Sequence, residues 1–302
     1  MSDSASSLAD WIALTAKRLR VAGVFFGHGT QNAHDEAAWL VAAAVKIAPL
    51  DLDRSLKRIA SKKDIRRILT LTEKRVTTRK PLAYLLGEAW LSGHRFFVDH
   101  RVIVPRSFIA ELLDDGLRPW CLSPRKITRV LDLCTGSGCL AILAALAFPR
   151  ARIDAVDISS PALAVARKNV RAYGLDNRIS LIKSDLFQTV PMQEYDLIIS
   201  NPPYVKAQSM RKLPTEYRNE PEIALAGGRD GLDLVGHIIR DANMHLRPDG
   251  HLLLEIGHNR STFERKYPSL PVTWLSTSSG IDAVLWVSAE QLAETGRSTV
   301  RH

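Results

Sequence analysis

Val130-Leu131-Asp132-Leu133-Cys134-Thr135-Gly136-Ser137-Gly138-Cys139 is the stretch that decides the fold of this chain. A short apolar run carrying one carboxylate hands over, through two glycines, to a second apolar run from Cys139 to Phe148. Gly136 and Gly138 permit tight turning and close approach of a ligand to the backbone, as where a first strand gives way to a first helix. Outward from this turn the same alternation repeats. Strands are expected at 153–156, 179–182, 197–200 and 252–256, with a closing apolar pair at 272–275 and 283–287. Helices are expected at 139–147, 161–173 and 232–246. Ser159 or Ser160 serves as N-cap ahead of Pro161, and Pro248-Asp249-Gly250 reads as a turn after the last helix. Strand–helix alternation at this spacing implies an α/β domain, a parallel sheet covered on both faces and doubly wound.

Upstream of Ser107 the periodicity differs. Trp11, Leu14, Thr15 and Arg18 begin one helical series, and Ala37, Leu40, Val41, Ala44 and Val45 form another. Ile65, Ile68, Leu69, Thr72 and Val76 mark the apolar face of a helix over 63–76. Ala89-Trp90-Leu91, a Ser92-Gly93 turn and Phe96-Phe97-Val98 read as a hairpin, followed by a short strand Val102-Ile103-Val104. The expected organisation is a helical N-terminal domain at 1–82, a hairpin linker at 83–105, the α/β domain at 106–290 and a flexible tail at 291–302.

A chain of 302 residues has room for two domains at about 150 residues each. With 46% apolar and 24% charged residues it is an ordinary globular composition, which excludes collagen-like or low-complexity character. The longest apolar stretch, Cys139 to Phe148, is about half the roughly 20 residues that span a bilayer. The first residues lack a basic region followed by an apolar core, so no signal peptide is expected. Three cysteines, Cys121, Cys134 and Cys139, lack metal-ligand spacing and imply a reducing compartment, the cytoplasm. The histidines, among them His28, His34, His94 and His258, form no zinc-type motif and are expected at the surface or in turns.

The net charge of +9 is concentrated in one place. Between Arg54 and Lys80 stand eleven cations, including Arg58, Arg66, Arg67, Arg75 and Arg79, against only Asp64 and Glu73. Such a run is either a solvated helix face or an electrostatic dock for a polyanion such as RNA. It has no interleaved aromatic series for base stacking.

Two local constellations carry chemistry. Asp157 stands at the end of the strand after the glycine turn, where a carboxylate can accept both hydroxyls of a ribose. Gly136-Ser137-Gly138-Cys139-Leu140-Ala141 also satisfies the G-x-G-x-x-A dinucleotide pattern, which would place pyrophosphate on the helix N-terminus. Asp132 tilts the choice, because its charge repels pyrophosphate and suits the ammonium and sulfonium of S-adenosylmethionine. Asp185, after the third strand, is placed for the adenine amino group, with Leu186 over its ring. The alternative is that Asp132 merely caps a turn while the glycines pack helix on strand.

The second constellation is Asn201-Pro202-Pro203-Tyr204, after the fourth strand. A planar nitrogen, in an amide or an exocyclic base amine, has its lone pair delocalised into the neighbouring π-system. The Asn201 side-chain oxygen and the Pro202 carbonyl can accept its two N–H hydrogens, localise the lone pair and aim it at a methyl donor. Pro202 and Pro203 offer no N–H and stiffen the loop. Tyr204 can lie flat on the planar group. Asn201 thus faces both cofactor and substrate. An Asn-Pro turn without chemistry is the plain alternative.

Asp132 to Cys139 together with Asn201 to Tyr204 resemble the N5-glutamine methyltransferases, over roughly residues 14–288. The resemblance implies a seven-stranded, Rossmann-like class I S-adenosylmethionine-dependent methyltransferase domain, preceded by a small helical substrate-recognition domain and a β-hairpin. Glu220 to Asp233 is similar to that family's loop after the catalytic strand. One branch acts on peptide release factors and typically carries Pro-Arg-Pro after the hairpin. Val104-Pro105-Arg106-Ser107 here is similar to the other branch, which acts on large-subunit ribosomal protein L-three, though Phe108 stands where that branch usually has proline. By this resemblance Cys134, Thr135, Gly136, Ser137, Gly138, Asp157 and Leu186 line the cofactor, while Asn201 and Pro202, with Pro203, hold a glutamine amide on which Tyr204 stacks; the residues themselves offer no metal-ligand motif. Exocyclic-amine methylation of RNA or DNA is a second reading, and an NAD(P)-binding oxidoreductase a third from another class.

Overall fold

The protein is described by a computed structural model over residues 6–120, 124–278, 280 and 282–298. It comprises two compact units: residues 1–89 with 213–219, and residues 90–212 with 220–302.

The N-terminal unit is helical: α1 (Leu8–Val21), α2 (Ala33–Val45), α3 (Leu52–Ser55), α4 (Lys62–Thr78) and α5 (Leu82–Leu86). Both α1 and α4 start at a capping box, Ser7 with Asp10 and Ser61 with Asp64, each serine accepting from the backbone three residues on. The five apolar positions expected in α2 are buried. In α1 the buried face is Leu8, Ile12, Thr15, Ala16 and Leu19, while Leu14 is exposed and Arg18 pairs with Glu73. The expected stripe was therefore rotated, because Trp11 and Leu14 outweighed the Leu8, Ile12, Leu19 series that α2 covers.

The basic run is also not one solvated face. Arg75 is fully buried on α4, with Nε donating to Glu36 at 2.6 Å, one terminal nitrogen to the Phe25 carbonyl at 2.9 Å and the other to Glu216 at 3.5 Å. Arg79 pairs with Glu216 at 2.8 Å and Arg58 with Asp64 at 2.7 Å. Glu216 is itself fully buried, so this unit is held in part by a network of desolvated charges. His28, expected at the surface, is buried with its ring 4.4 Å from that of Tyr217.

A hairpin of β1 (Glu88–Leu91) and β2 (His94–Phe97) follows, turning at Ser92 and Gly93 with φ of +51° and +72°, the left-handed pair of a tight hairpin. Then come α6 (Phe108–Asp114), β3 (Arg129–Leu133), α7 (Cys139–Ala147), β4 (Arg152–Asp157), α8 (Ser160–Ala172), β5 (Ile179–Lys183) and β6 (Tyr195–Ser200). The chain ends with α9 (Ala207–Met210), α10 (Asp233–Ala242), β7 (Leu246–Glu255), α11 (Arg260–Lys266), β8 (Thr273–Leu275), β9 (Val284–Ser288) and α12 (Ala289–Ser298).

Seven strands form one sheet in the order β5-β4-β3-β6-β7-β9-β8. β5, β4, β3, β6 and β7 are parallel, and β9 runs antiparallel to both its neighbours. The period of two sorts the strand residues between two cores. Val130, Ile153, Leu197 and Leu253 join Ile109 and the apolar length of α7, whereas Leu131, Leu133, Ile198 and Leu252 join Val235 and Ile238 of α10. Each fully buried leucine or isoleucine contributes about 1.5–3 kcal/mol.

Four expectations fail locally. Val102 to Val104 is not a strand: Val102 and Val104 are buried, but the Val104 N–H donates to the Glu220 carboxylate at 2.9 Å. Pro248-Asp249-Gly250 lies within β7, where the register jumps from Tyr195 opposite Leu246 to Leu197 opposite His251. The turn residues are absorbed as a bulge, and α10 ends earlier than expected, at Ala242. The supposed tail from 291 begins as α12, because Ala289 and Leu292, three apart, bury against the domain. Cys121 and residues 299–302 lie outside the described residues. No described helix is long and apolar enough to cross a membrane.

Candidate active site

The residues singled out in the sequence leave the carboxyl ends of four adjacent strands, β5, β4, β3 and β6. Between β3 and β6 the strand order reverses, the crevice where open α/β sheets take their ligands. Leu133 pairs with Ser200 across that crevice, and the Ser200 hydroxyl donates to the Leu133 carbonyl at 2.9 Å. The glycine turn and the Asn201 tetrapeptide therefore leave neighbouring strands at the same height.

Asp132 is fully buried at the end of β3. Thr135 donates its hydroxyl to Asp132 Oδ2 at 2.5 Å, but Oδ1, also buried, has no hydrogen-bond partner among the described residues. Burial pushes the Asp132 carboxyl up to about 7, opposed by the Thr135 hydrogen bond and by the Ala141 backbone N–H, with the charge of Asp157 adding to the rise. A buried carboxylate oxygen left short of donors is costly. Asp157 accepts from the Gly136 N–H and the Ser159 N–H, each at 2.8 Å, one on each carboxylate oxygen. Its carboxyl is raised by burial against those two bonds. Ser159 caps α8 by accepting from the Ala162 N–H.

The turn itself is contorted. Cys134 has φ of +59° and Gly136 +54°, and a Cβ built on Gly136 would meet nothing within 4 Å, so that face of the loop is open. Leu186, after β5, also holds a left-handed φ, +45°. Non-glycine residues in that region store strain, which clusters at ligand sites. Asp185 is exposed beside Leu186 and accepts from the Gln188 side chain at 3.3 Å. Burial raises both loop thiols, that of Cys139 to about 12, so neither Cys134 nor Cys139 is a poised nucleophile.

Asn201 begins the tetrapeptide, half-buried, with Pro202 buried behind it. Its Nδ2 donates to the Arg106 carbonyl at 3.5 Å. Tyr204 is fixed by its surroundings: Asn259 Nδ2 donates to its carbonyl at 2.9 Å. Its ring lies so close to Gly257 that a Cβ there would come within 2.5 Å of it, and one on Gly227 within 2.6 Å of its Cα.

Supporting residues come from far along the chain, Glu220 from the segment already singled out and Glu255, Gly257 and Asn259 from outside any motif. Glu220 accepts both terminal nitrogens of Arg106 at 2.8 and 2.6 Å, fixing the segment whose carbonyl meets Asn201. Glu255, buried at the end of β7 and pushed up to about 7 by that burial, accepts from the Ser107 hydroxyl at 2.6 Å and the Phe108 N–H at 3.0 Å. Gly257 and Asn259 carry no local motif; only their packing on Tyr204 reveals them. Among the described residues no group of three or more His, Cys, Asp or Glu could hold a metal ion.

Comparison with known proteins follows the same lines. The methyltransferase small domain family matches residues 109–216. The ribosomal protein uL3 glutamine methyltransferase of Bordetella pertussis is 53% identical over 286 residues, covering 95% of this chain and 96% of its own. That of Burkholderia pseudomallei is 50% identical over 294 residues, 95% of each chain. Among solved structures, the hMettl16 catalytic domain in complex with MAT2A 3′UTR hairpin 6 is similar with a TM-score of 0.51 at 18% identity, over 77% of this chain and 85% of that one, a likeness of fold.

Proposed function

Since the chain belongs to the family of ribosomal protein uL3 glutamine methyltransferases, we propose that it moves a methyl group from S-adenosylmethionine to the side-chain amide nitrogen of a glutamine in uL3, with Asn201 and Pro202 as the acceptor pair. The observation that carries this assignment of roles is the pairing of Leu133 with Ser200, which sets the carboxylate-bearing turn beside the tetrapeptide. Family membership leaves release factors and an NAD(P)-dependent oxidation without support, and the three carboxylates around the turn would repel a pyrophosphate.

The donor set fits the cofactor: Asp132, with its unpartnered oxygen, toward the positive charge, Asp157 toward a ribose, and Leu186 with Asp185 toward the adenine. When bound, S-adenosylmethionine supplies an electrophilic methyl on sulfonium sulfur. The chain does the rest. Thr135 orients the Asp132 carboxylate. Arg106, clamped by Glu220, holds Asn201 by its Nδ2 so that Oδ1 and the Pro202 carbonyl can take the two amide hydrogens of glutamine. Tyr204, immobilised by Asn259 and Gly257, covers the amide plane. The methyl would pass to the amide nitrogen as its bond to sulfur breaks and the neutral thioether S-adenosylhomocysteine leaves; the cationic amide so formed would lose its proton to solvent, so the chain need hold no strong base. Positioning and preorganised dipoles supply the rate.

The test is incubation with methyl-labelled S-adenosylmethionine and purified uL3, followed by mass mapping. Label on one glutamine is expected; label confined to lysine, arginine or RNA would overturn the reading.

Asp132 makes binding depend on pH. Its neutral acid cannot attract a cation, and its anion can, so affinity for S-adenosylmethionine strengthens as pH rises toward about 7 and levels above it. Below that point the dissociation constant should change by up to about tenfold per pH unit. Asp132→Asn should flatten that slope; calorimetry across pH 5.5–8 checks it, and the variant excludes Glu255, which titrates in the same range, as the source.

On the N-terminal unit, Arg54, Lys57, Lys62, Lys63, Arg66 and Lys74 remain exposed after the internal pairs are taken out. We propose that they contact ribosomal RNA in an assembling particle. Lys63→Glu with Arg66→Glu should weaken binding to an rRNA fragment by about tenfold or more at low salt and make the log–log salt slope shallower; an unchanged slope would remove this contact.

A further inference from the structure

Helix α8 holds the hairpin as well as the sheet. Asn169 is 1% exposed and spends its carboxamide on two distant backbones. Its Oδ1 accepts from the Phe97 N–H at 2.7 Å, and its Nδ2 donates to the Phe97 carbonyl at 3.0 Å. That is the two-bond pattern one strand residue offers another, so a side chain serves β2 as a strand partner. The second Nδ2 hydrogen goes to the Ser137 carbonyl at 2.8 Å, inside the glycine turn. Both donors are used, and only a lone pair of the oxygen is spare.

The neighbourhood tightens the same link. Ala166, on the turn of α8 before Asn169, lies against Gly138, where an added Cβ would sit 3.2 Å from the Ala166 methyl. On the hairpin side, the Lys168 ammonium lies 3.0 Å from the Phe97 ring centroid. The Tyr173 hydroxyl donates to the Arg95 carbonyl at 3.0 Å, and its ring stacks on Phe96 at 5.7 Å. Loop and hairpin are thus fastened to one helix within two turns, and one side chain touches both.

We infer that Asn169 is a positioning residue which fixes the Ser137 carbonyl in the cofactor turn and couples that turn to strand β2 of the hairpin. This rests on the reading above that the turn takes S-adenosylmethionine. Loss of Asn169 strands the Ser137 carbonyl in a buried place and both backbone polar groups of Phe97 in a part-buried one. The turn loses its register on α8, and the hairpin loses its strand partner. Coupling is reciprocal: a ligand that orders the turn must also order β2.

Two measurements on the full chain decide it: the dissociation constant for S-adenosylmethionine by calorimetry, and residue-resolved amide exchange of the hairpin with and without saturating S-adenosylmethionine. In the wild type, ligand should slow exchange at Phe97. In Asn169→Ala the dissociation constant should rise about tenfold, as expected for unsatisfied buried groups, and ligand should no longer slow the hairpin amides. Asn169→Asp keeps the acceptor and removes both donors, and should weaken binding at least as much. A role limited to helix packing would lower Tm in both variants and leave the dissociation constant unmoved. The inference is overturned if folded Asn169→Ala binds within twofold of wild type, or if ligand leaves Phe97 exchange unchanged in the wild type, a measurement that stands even should the variants fail to fold. Wild-type chain that binds no S-adenosylmethionine would instead overturn the cofactor reading, and this inference with it.

Discussion

Asn201→Ala is expected to lower kcat for methyl transfer to uL3 by about 100- to 1,000-fold, the loss seen when one preorganised acceptor or donor is removed from a charge-developing centre. The amide nitrogen of glutamine is a poor nucleophile until its two hydrogens are gripped, and alanine removes one of the two grips. The remaining one, the Pro202 carbonyl, belongs to the backbone and survives the substitution. KM for S-adenosylmethionine should move far less than kcat, because the turn after β3 and Asp157 are untouched. Asn201→Asp restores an acceptor but loses the Nδ2 donor to the Arg106 carbonyl, and should fall between alanine and wild type. Steady-state rates on purified uL3 give the answer, and an alanine variant within fivefold of wild type would remove Asn201 from the mechanism.

The largest stability effect is expected far from the chemistry. Glu216→Leu should destabilise the N-terminal unit by about 3–5 kcal/mol, since it leaves the wholly buried Arg75 with Glu36 as its only carboxylate and takes the acceptor from the Phe25 N–H. Arg79 loses its 2.8 Å partner in the same step. Replacing Arg75, Glu36 and Glu216 together by apolar residues of similar volume should recover part of the loss, because no fully buried charge is then left over, while Arg79 and the Phe25 N–H still lack the Glu216 carboxylate. Urea unfolding followed by far-ultraviolet circular dichroism measures it; a single variant within about 1 kcal/mol of wild type would show that the network is not desolvated as its burial implies.

Much of the fold was legible residue by residue. The strands β3 to β6, β8 and β9, the second half of β7 and the helices α7 and α8 fall where apolar period and punctuation place them, because both signals are local. The Ser92-Gly93 turn and the Ser159 cap are of the same kind. Where local signals misled, a distant partner had intervened. Pro248-Asp249-Gly250 has turn chemistry, but pairing with β6 draws it into β7 as a bulge. Val102 to Val104 has strand composition, but a carboxylate from residue 220 takes the N–H that a neighbouring strand would have claimed. Leu14 and Trp11 look like a core stripe until α2 covers the adjacent face of α1.

The sequence by itself determined the strand–helix alternation from β3 to β6, the glycine turn with its carboxylate, and the tetrapeptide after β6, since each is written in residues within hydrogen-bonding or packing reach of their near neighbours. Only the tertiary structure decided how charges are matched. Arg106 finds Glu220 114 positions away, Ser107 finds Glu255 148 away, and Arg75 finds Glu216 141 away, while Asp132 Oδ1 is left without a well-formed hydrogen bond among the described residues. The physical reason is that burial and electrostatic pairing depend on distance in space, and one chain written as a line carries no measure of it.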